Sequence, residues 1–315
     1  MLNRIERTDW GLVIQVSIHI LTTIILPIFV TVGLGLVLRR LISIDVRPLS
    51  RVTLYVLSPC LIFSTLSQST LEADDLGRIV AFTLVTTFAM GVISWGATRL
   101  LRFDQGKESA FLLATLFVNA GNYGLPLNLL AFGEEGLARA IVFFATSSFL
   151  VNTLAVYLAS RGQVGGRESM ANIFKIPLIY AVVAALIVNF GNLEIPEAIF
   201  KPLEMTGSAA IPVMLLILGM ELSQASVREE WGTIGVATLI RLVVAAGVAL
   251  WIAPLLGLAG VTRQACIVEA SMPTAVMTTI LAVEFDARPK FVTGTVFTTT
   301  LASIVTLTLL LRLLR

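Results

Sequence analysis

Apolar runs of about twenty residues recur along this chain, separated by short polar stretches. They predict ten spans, over 19–38, 51–70, 78–99, 108–132, 138–160, 174–191, 204–223, 231–256, 263–284 and 289–312. A helix needs ~20 apolar residues to cross ~30 Å of hydrocarbon. A membrane β-barrel would instead show ~10-residue alternating segments, which this sequence lacks. Backbone groups in lipid must be satisfied within their own segment, so helices are the expected solution. The fold class expected is an all-α polytopic membrane protein. The longest polar linker, Arg161–Asn172, contains Gly162, Gly165, Gly166 and Arg167 and divides the chain near its middle.

The two halves resemble each other at a nearly constant offset. Pro27 opens PIFVTVGLGLV and Pro177 opens PLIYAVVAALIV, 150 residues on; Pro59 in LSPCLIF is answered by Pro212 in AIPVMLL, 153 on; Thr146–Ser148 is answered by Thr298–Thr300, 152 on. Five spans per half would send the second half in from the opposite side, and inverted repeats of this kind are a signature of secondary transporters. The expected organisation is a first repeat over 1–160, a cytoplasmic linker over 161–172 and a second repeat over 173–315.

Spans four and nine carry polar interruptions. In FLLATLFVNAGNYGLPLNLLAF, Asn119, Gly121, Asn122, Gly124 and Pro126 fall together; in ACIVEASMPTAVMTTILAVEF the cluster is Ser271, Pro273, Thr274, Thr278 and Thr279. Gly and Asn are poor helix formers and Pro lacks a backbone donor, so both helices should break. Offset 152 aligns Asn119 with Ser271 and Pro126 with Thr278, so the breaks should meet at the bilayer midplane. Second half-helices beginning near Leu127 and Thr278 would aim positive dipole ends and free N–H groups inward, where a carboxylate would suit them.

Composition agrees with a membrane-embedded chain: 57% hydrophobic and only 13% charged, against ~25% charged in soluble domains. With the N-terminus outside, 13 of the 22 basic residues fall in inside loops and 8 outside. The positive-inside rule then predicts a multi-pass cell-membrane protein, in the inner membrane if bacterial, with both termini outside. Cys60 and Cys266 lie inside apolar runs, which gives neither a disulfide framework nor a metal cluster. The first apolar run is of full span length, so no cleavable signal peptide is expected. Nothing points to nucleic acid, and no nucleophile–base pair or nucleotide loop suggests an enzyme.

Few ionisable groups fall within spans. Glu269, four residues before Pro273, is either a functional intramembrane carboxylate or a residue of the outer mouth. Arg241 either snorkels to the inner headgroups or attracts an anion. His19 reads as interfacial, and Asn152 with Thr146–Ser148 as small polar residues packing between helices.

NAGNYGLPLNLLAFGEEGL (119–137), LSPCLIF (57–63), AIPVMLLILGMEL (210–222) and ASMPTAVMTTILAVEFDARP (270–289) resemble the auxin efflux carrier family, with plant auxin exporters and bacterial dicarboxylate carriers among its members. The resemblance implies ten helices in two inverted five-helix repeats with helices four and nine broken and crossing. It also implies a scaffold of helices one, two, six and seven, with a transport domain moving elevator-fashion. Asn119, Pro126 and Pro273 match the crossover residues of the auxin exporters, while Thr278 stands where they have a second proline. Against the more distant bile-acid sodium symporters, Glu269 matches a sodium-ligand position and Met272 also matches, but Pro273 replaces their Gln.

The function expected is secondary active transport of a small organic anion, such as an auxin-like acid, malonate or malate, with an uncoupled uniporter or channel as the alternative. Substrate-binding candidates are Asn119, Asn122, Tyr123, Pro126, Ser271, Pro273, Thr274 and Thr278. Coupling candidates are Glu269, Ser271 and Met272, with H+ or Na+ as the ion and no other cofactor. The expected partners are the substrate, the bilayer and, through the scaffold helices, a second copy.

Overall fold

A computed structural model describes residues 14–42, 44–160, 177–223 and 230–315. The linker expected at 161–172 lies outside the described residues. These fold into helices: α1 (Ile14–Ile42), α2 (Val46–Ser67), α3 (Ala73–Leu100), α4 (Gln105–Leu116), α5 (120–132), α6 (134–159), α7 (Pro177–Phe190), α8 (Glu197–Leu222), α9 (Trp231–Leu255), α10 (Gly260–Ala270), α11 (Met277–Glu284) and α12 (Pro289–Leu314). Among the described residues there is no strand, only an isolated antiparallel bridge between Val118 and Thr274.

Seven helical runs among the described residues are long and apolar enough to cross a membrane. One of them, Ala120–Ala159, has 40 residues, roughly 60 Å at 1.5 Å per residue and twice the hydrocarbon thickness. Gly133 breaks it at φ 66° and ψ −161°, a conformation that glycine adopts without penalty, and so separates α5 from α6. Large apolar side chains such as Leu34, Phe88, Ile187, Trp251 and Val305 lie exposed on the outer faces, a surface for lipid contact. Many hydroxyls inside the spans return to their own helices, as Thr83 to the Ile79 carbonyl at 2.8 Å and Thr299 to that of Thr295 at 2.7 Å, which satisfies them without water.

Helix packing forms two groups. In one, α1 packs on α8 and α2 packs on α7 and α8; in the other, α3, α4, α5, α6 and α9–α12 pack among themselves. Glycines set the spacing of the first group. A side-chain carbon added at Gly35 would strike the Leu216 carbonyl oxygen, and one at Gly219 would strike that of Val32. The second group is tied at both ends by polar contacts. Arg288, before α12, reaches Asp104 at 2.8 Å and Glu230 at 3.3 Å, and Lys107 meets Glu230 at 2.9 Å. At the other end Arg139 donates to Thr262 Oγ1 at 2.7 Å, and Thr262 donates to Asp75 at 3.0 Å. The Lys107 backbone N–H at the α4 N-terminus, with Arg288 nearby, holds the Asp104 carboxyl below the ordinary carboxylate range.

Candidate functional site

The breaks at 117–119 and 271–276 lie side by side. The Asn119 N–H donates to the Pro273 carbonyl at 2.8 Å, and the Ala275 N–H donates to that of Phe117 at 2.9 Å. The two chains thus satisfy each other where their own helical bonds are missing, as a dry interior requires. Thr274 fastens the join by donating from Oγ1 to the Ala114 carbonyl at 2.7 Å. The first break falls seven residues before Pro126. Pro126 instead lies inside α5, where the π-helical turn 120–124 passes into the α-helix from Leu125, and the wider turn there accommodates its missing donor.

Arg241 of α9 is buried at the ends of the two first half-helices. Its guanidinium donates to the Thr115 carbonyl at 2.9 Å and to Leu116 at 3.4 Å at the end of α4, and to Ala270 at the end of α10. These are the unpaired carbonyls and negative dipole ends of two helices, and one planar cation serves both. The side chain therefore neither snorkels to headgroups nor faces open space.

Glu269 is fully buried, not at a mouth. Its Oε1 accepts from Asn128 Nδ2 at 2.9 Å, and the same amide donates to the Gly124 carbonyl at 3.0 Å. Glu269 Oε2 and Asn128 Oδ1 have no partner. The carboxylate rests against Gly124, where any side-chain carbon would collide with it.

On the other side of the join, between the two helix groups, lies a cavity of about 240 Å³. Residues 120–122 and 275–277, at the N-terminal ends of both second half-helices, line it. Asn119 is also in the lining, and its Nδ2 has no hydrogen-bond partner. Ser50, Thr53, Ser148 and Asn152 contribute further polar surface, and Glu221 stands in the last turn of α8. A second cavity of about 610 Å³ lies between the groups at the opposite ends of α2 and α8, beside Gln68, Glu134, Arg139 and Glu204. Among the described residues no three His, Cys, Asp or Glu side chains group as a metal site.

A family model described as "Membrane transport protein" matches residues 20–311. The chain belongs to that family, the family of the auxin efflux carriers. It is 29% identical over 293 residues to an uncharacterized transporter of Methanothermobacter thermautotrophicus, covering 91% of this chain and 96% of the relative. It is 28% identical to another from Methanocaldococcus jannaschii, over 83% of this chain and 87% of the relative. A Rhizobium meliloti protein provisionally named a malonate transporter is 24% identical, over 94% of this chain and 96% of that protein. The chain is therefore a multi-pass membrane protein of a transporter family.

In this transporter the expected site residues separate by position. Asn119 and Asn122 line the cavity. Pro273 and Thr274 brace the join. Tyr123 is buried behind it, its hydroxyl 3.2 Å from Ser303 and its ring edge-on to Phe29. Ser271 Oγ is spent on the Ile267 carbonyl at 2.7 Å, Thr278 Oγ1 on Ala275 at 2.6 Å, and Met272 is buried. Ser148 and Asn152, expected to pack between helices, face the cavity. Asn128 and Glu221 are not among the expected site residues. A polar residue in an apolar run marks Asn128, whereas Glu221 sits so near a span end that it reads as ordinary boundary charge.

Proposed function

We propose that this transporter carries a small organic anion, best a monocarboxylate or a weakly held dicarboxylate, through the cavity at the two breaks. The observation that carries the reading is the convergence there of two helix N-terminal ends beside the unpartnered Asn119 amide. Helix N-termini favour anions through free N–H groups and dipole, and the amide adds a directed donor. The reading includes ten spans in two inverted five-helix repeats, with α4–α5 and α10–α11 as the broken, crossing pair. The matched polar ties at 139/75/262 and 288/230/104 support it, as do the cavities at opposite ends of α2 and α8. Alternating access would move the larger group against α1, α2, α7 and α8, which would be fixed and available for a homodimer contact. Both termini would lie outside, so the Asn119 cavity would face inside.

A thermal-shift screen of the purified protein against organic acids, with and without sodium, tests the reading, since a ligand of the folded form raises the melting temperature. Asn119→Ala is expected to weaken binding of the acid so found by about 1–3 kcal/mol, the usual cost of an unpaired buried partner. Unchanged affinity in a folded variant removes Asn119 from the site. Saturable uptake with counterflow in proteoliposomes supports a carrier; linear flux without counterflow supports the alternative channel-like pathway.

The residues at the second break fit sodium poorly. Arg241 already occupies the carbonyls freed at the half-helix ends, and Ser271 Oγ is committed to its own helix. Proton coupling, or none, fits better. Glu269, expected as the coupling group, lies outside the cavity lining, which favours a bracing role through Asn128. Glu269→Gln, of equal shape, should keep uptake within about threefold and its pH profile intact. Glu269→Ala should destabilise the fold by about 1–3 kcal/mol through the lost partner of Asn128. Loss of proton-driven accumulation in Glu269→Gln, with exchange retained, would instead make Glu269 the proton carrier.

A further inference from the structure

The ionisable side chain in the lining of the Asn119 cavity is a carboxylate, Glu221. No Lys, Arg or His joins it there among the described residues. A cavity proposed to hold an anion thus has a carboxyl group in its lining and no cation beside it there. Glu221 Oε2 is sealed from solvent and has no hydrogen-bond partner.

We propose that Glu221 is a proton-dependent selectivity gate, which admits a carboxylic acid only together with a proton shared between the two carboxyl groups. This rests on the carrier reading above and names its coupling. Two carboxylates in one desolvated site cannot both remain ionised, because like charge and lost hydration both oppose it. A shared proton removes that repulsion and supplies the donor that Oε2 lacks. The proton comes from water on the side the acid leaves, sits between a Glu221 oxygen and a substrate oxygen, and is released with the acid on the far side. One proton crosses per acid, and no other bond changes.

The surroundings leave this task to Glu221. Arg39 of α1 is the charged group whose field reaches it, but that guanidinium also donates to the Ile44 carbonyl at 2.5 Å. On α2, Arg47 and Arg51 are exposed, and the cavity-facing residues of α2 are uncharged, as are those at the break and on α6. Glu269, the other intramembrane acid near the break, already has Asn128 as a partner.

The test uses the full-length protein in proteoliposomes, with labelled malonate as probe and protein-free liposomes as blank. Under a gradient of two pH units, the wild type is expected to accumulate malonate at least about tenfold toward the alkaline side, since each pH unit is worth a factor of ten per coupled proton. Glu221→Gln is expected to abolish that accumulation and to slow counterflow, which needs no net proton movement, without removing it. Wild-type counterflow without gradient-driven accumulation overturns the proposal and leaves the carrier reading standing. Accumulation that survives Glu221→Gln does the same. No saturable counterflow with malonate or other small acids overturns both. If Glu221→Gln does not fold, Glu221→Asp decides: a displaced pH midpoint of uptake supports the gate, and an unchanged midpoint overturns it.

Discussion

Arg241→Met is expected to destabilise the protein by at least about 3 kcal/mol, at about 1–3 kcal/mol for each of the three buried carbonyls left unpaired. Methionine fills much the same volume but donates nothing, so the carbonyls of Thr115, Leu116 and Ala270 lose their partner together. The two helix C-terminal ends, each with partial negative charge, would then face one another without the cation between them. Thermal unfolding in detergent measures the loss. Arg241→Lys separates charge from geometry: a point charge keeps the attraction but cannot span both helix ends with a planar fork, so its stability should fall between the other two. A melting temperature for Arg241→Met within a degree or two of wild type would show that the guanidinium is not what joins the half-helices.

Gly219→Ala is expected to cost about 3 kcal/mol, at the upper end of what overpacking a tight interface usually costs. The added carbon would meet the Val32 carbonyl oxygen, with the Val32 carbonyl carbon at 2.8 Å and Leu36 N at 2.9 Å. These are backbone atoms of α1, so relief requires that α1 and α8 separate. Gly33 supplies the control on the same helix pair. An alanine carbon there has nothing within 4 Å, and Gly→Ala in a helix interior gains roughly 0.5–1 kcal/mol. Opposite signs for the two substitutions, read by thermal unfolding, would establish the close approach. Equal small effects would show that the helices have room to spare.

The candidate site was legible in the sequence to different depths. Asn119 was legible because an amide inside an apolar run has few innocent uses, and the cluster around it marked a break. Its exact place was not, because Pro126 looks like a breaker in one dimension and proves to lie within α5, just past a π-helical turn. Glu269 could be recognised as buried chemistry, but depth counted from the span start put it near a mouth. The neighbouring helices, and Asn128 from the other half, exclude water from it instead.

What the sequence determined by itself is the solvent of each segment. Runs of apolar residues must sit in lipid or protein, and polar punctuation must break helices. Those conclusions follow from local free energies of transfer and helix propensity, which depend on composition and spacing alone. Tertiary structure decided every pairing. Arg241 finds carbonyls 126 and 29 residues away, Asn128 finds Glu269 across 141 residues, and Glu221 meets the Asn119 cavity from a different helix group. In a low-dielectric interior each polar group must have a partner, but the sequence does not say which partner. Only the packing of the helices brings the donors and acceptors within reach.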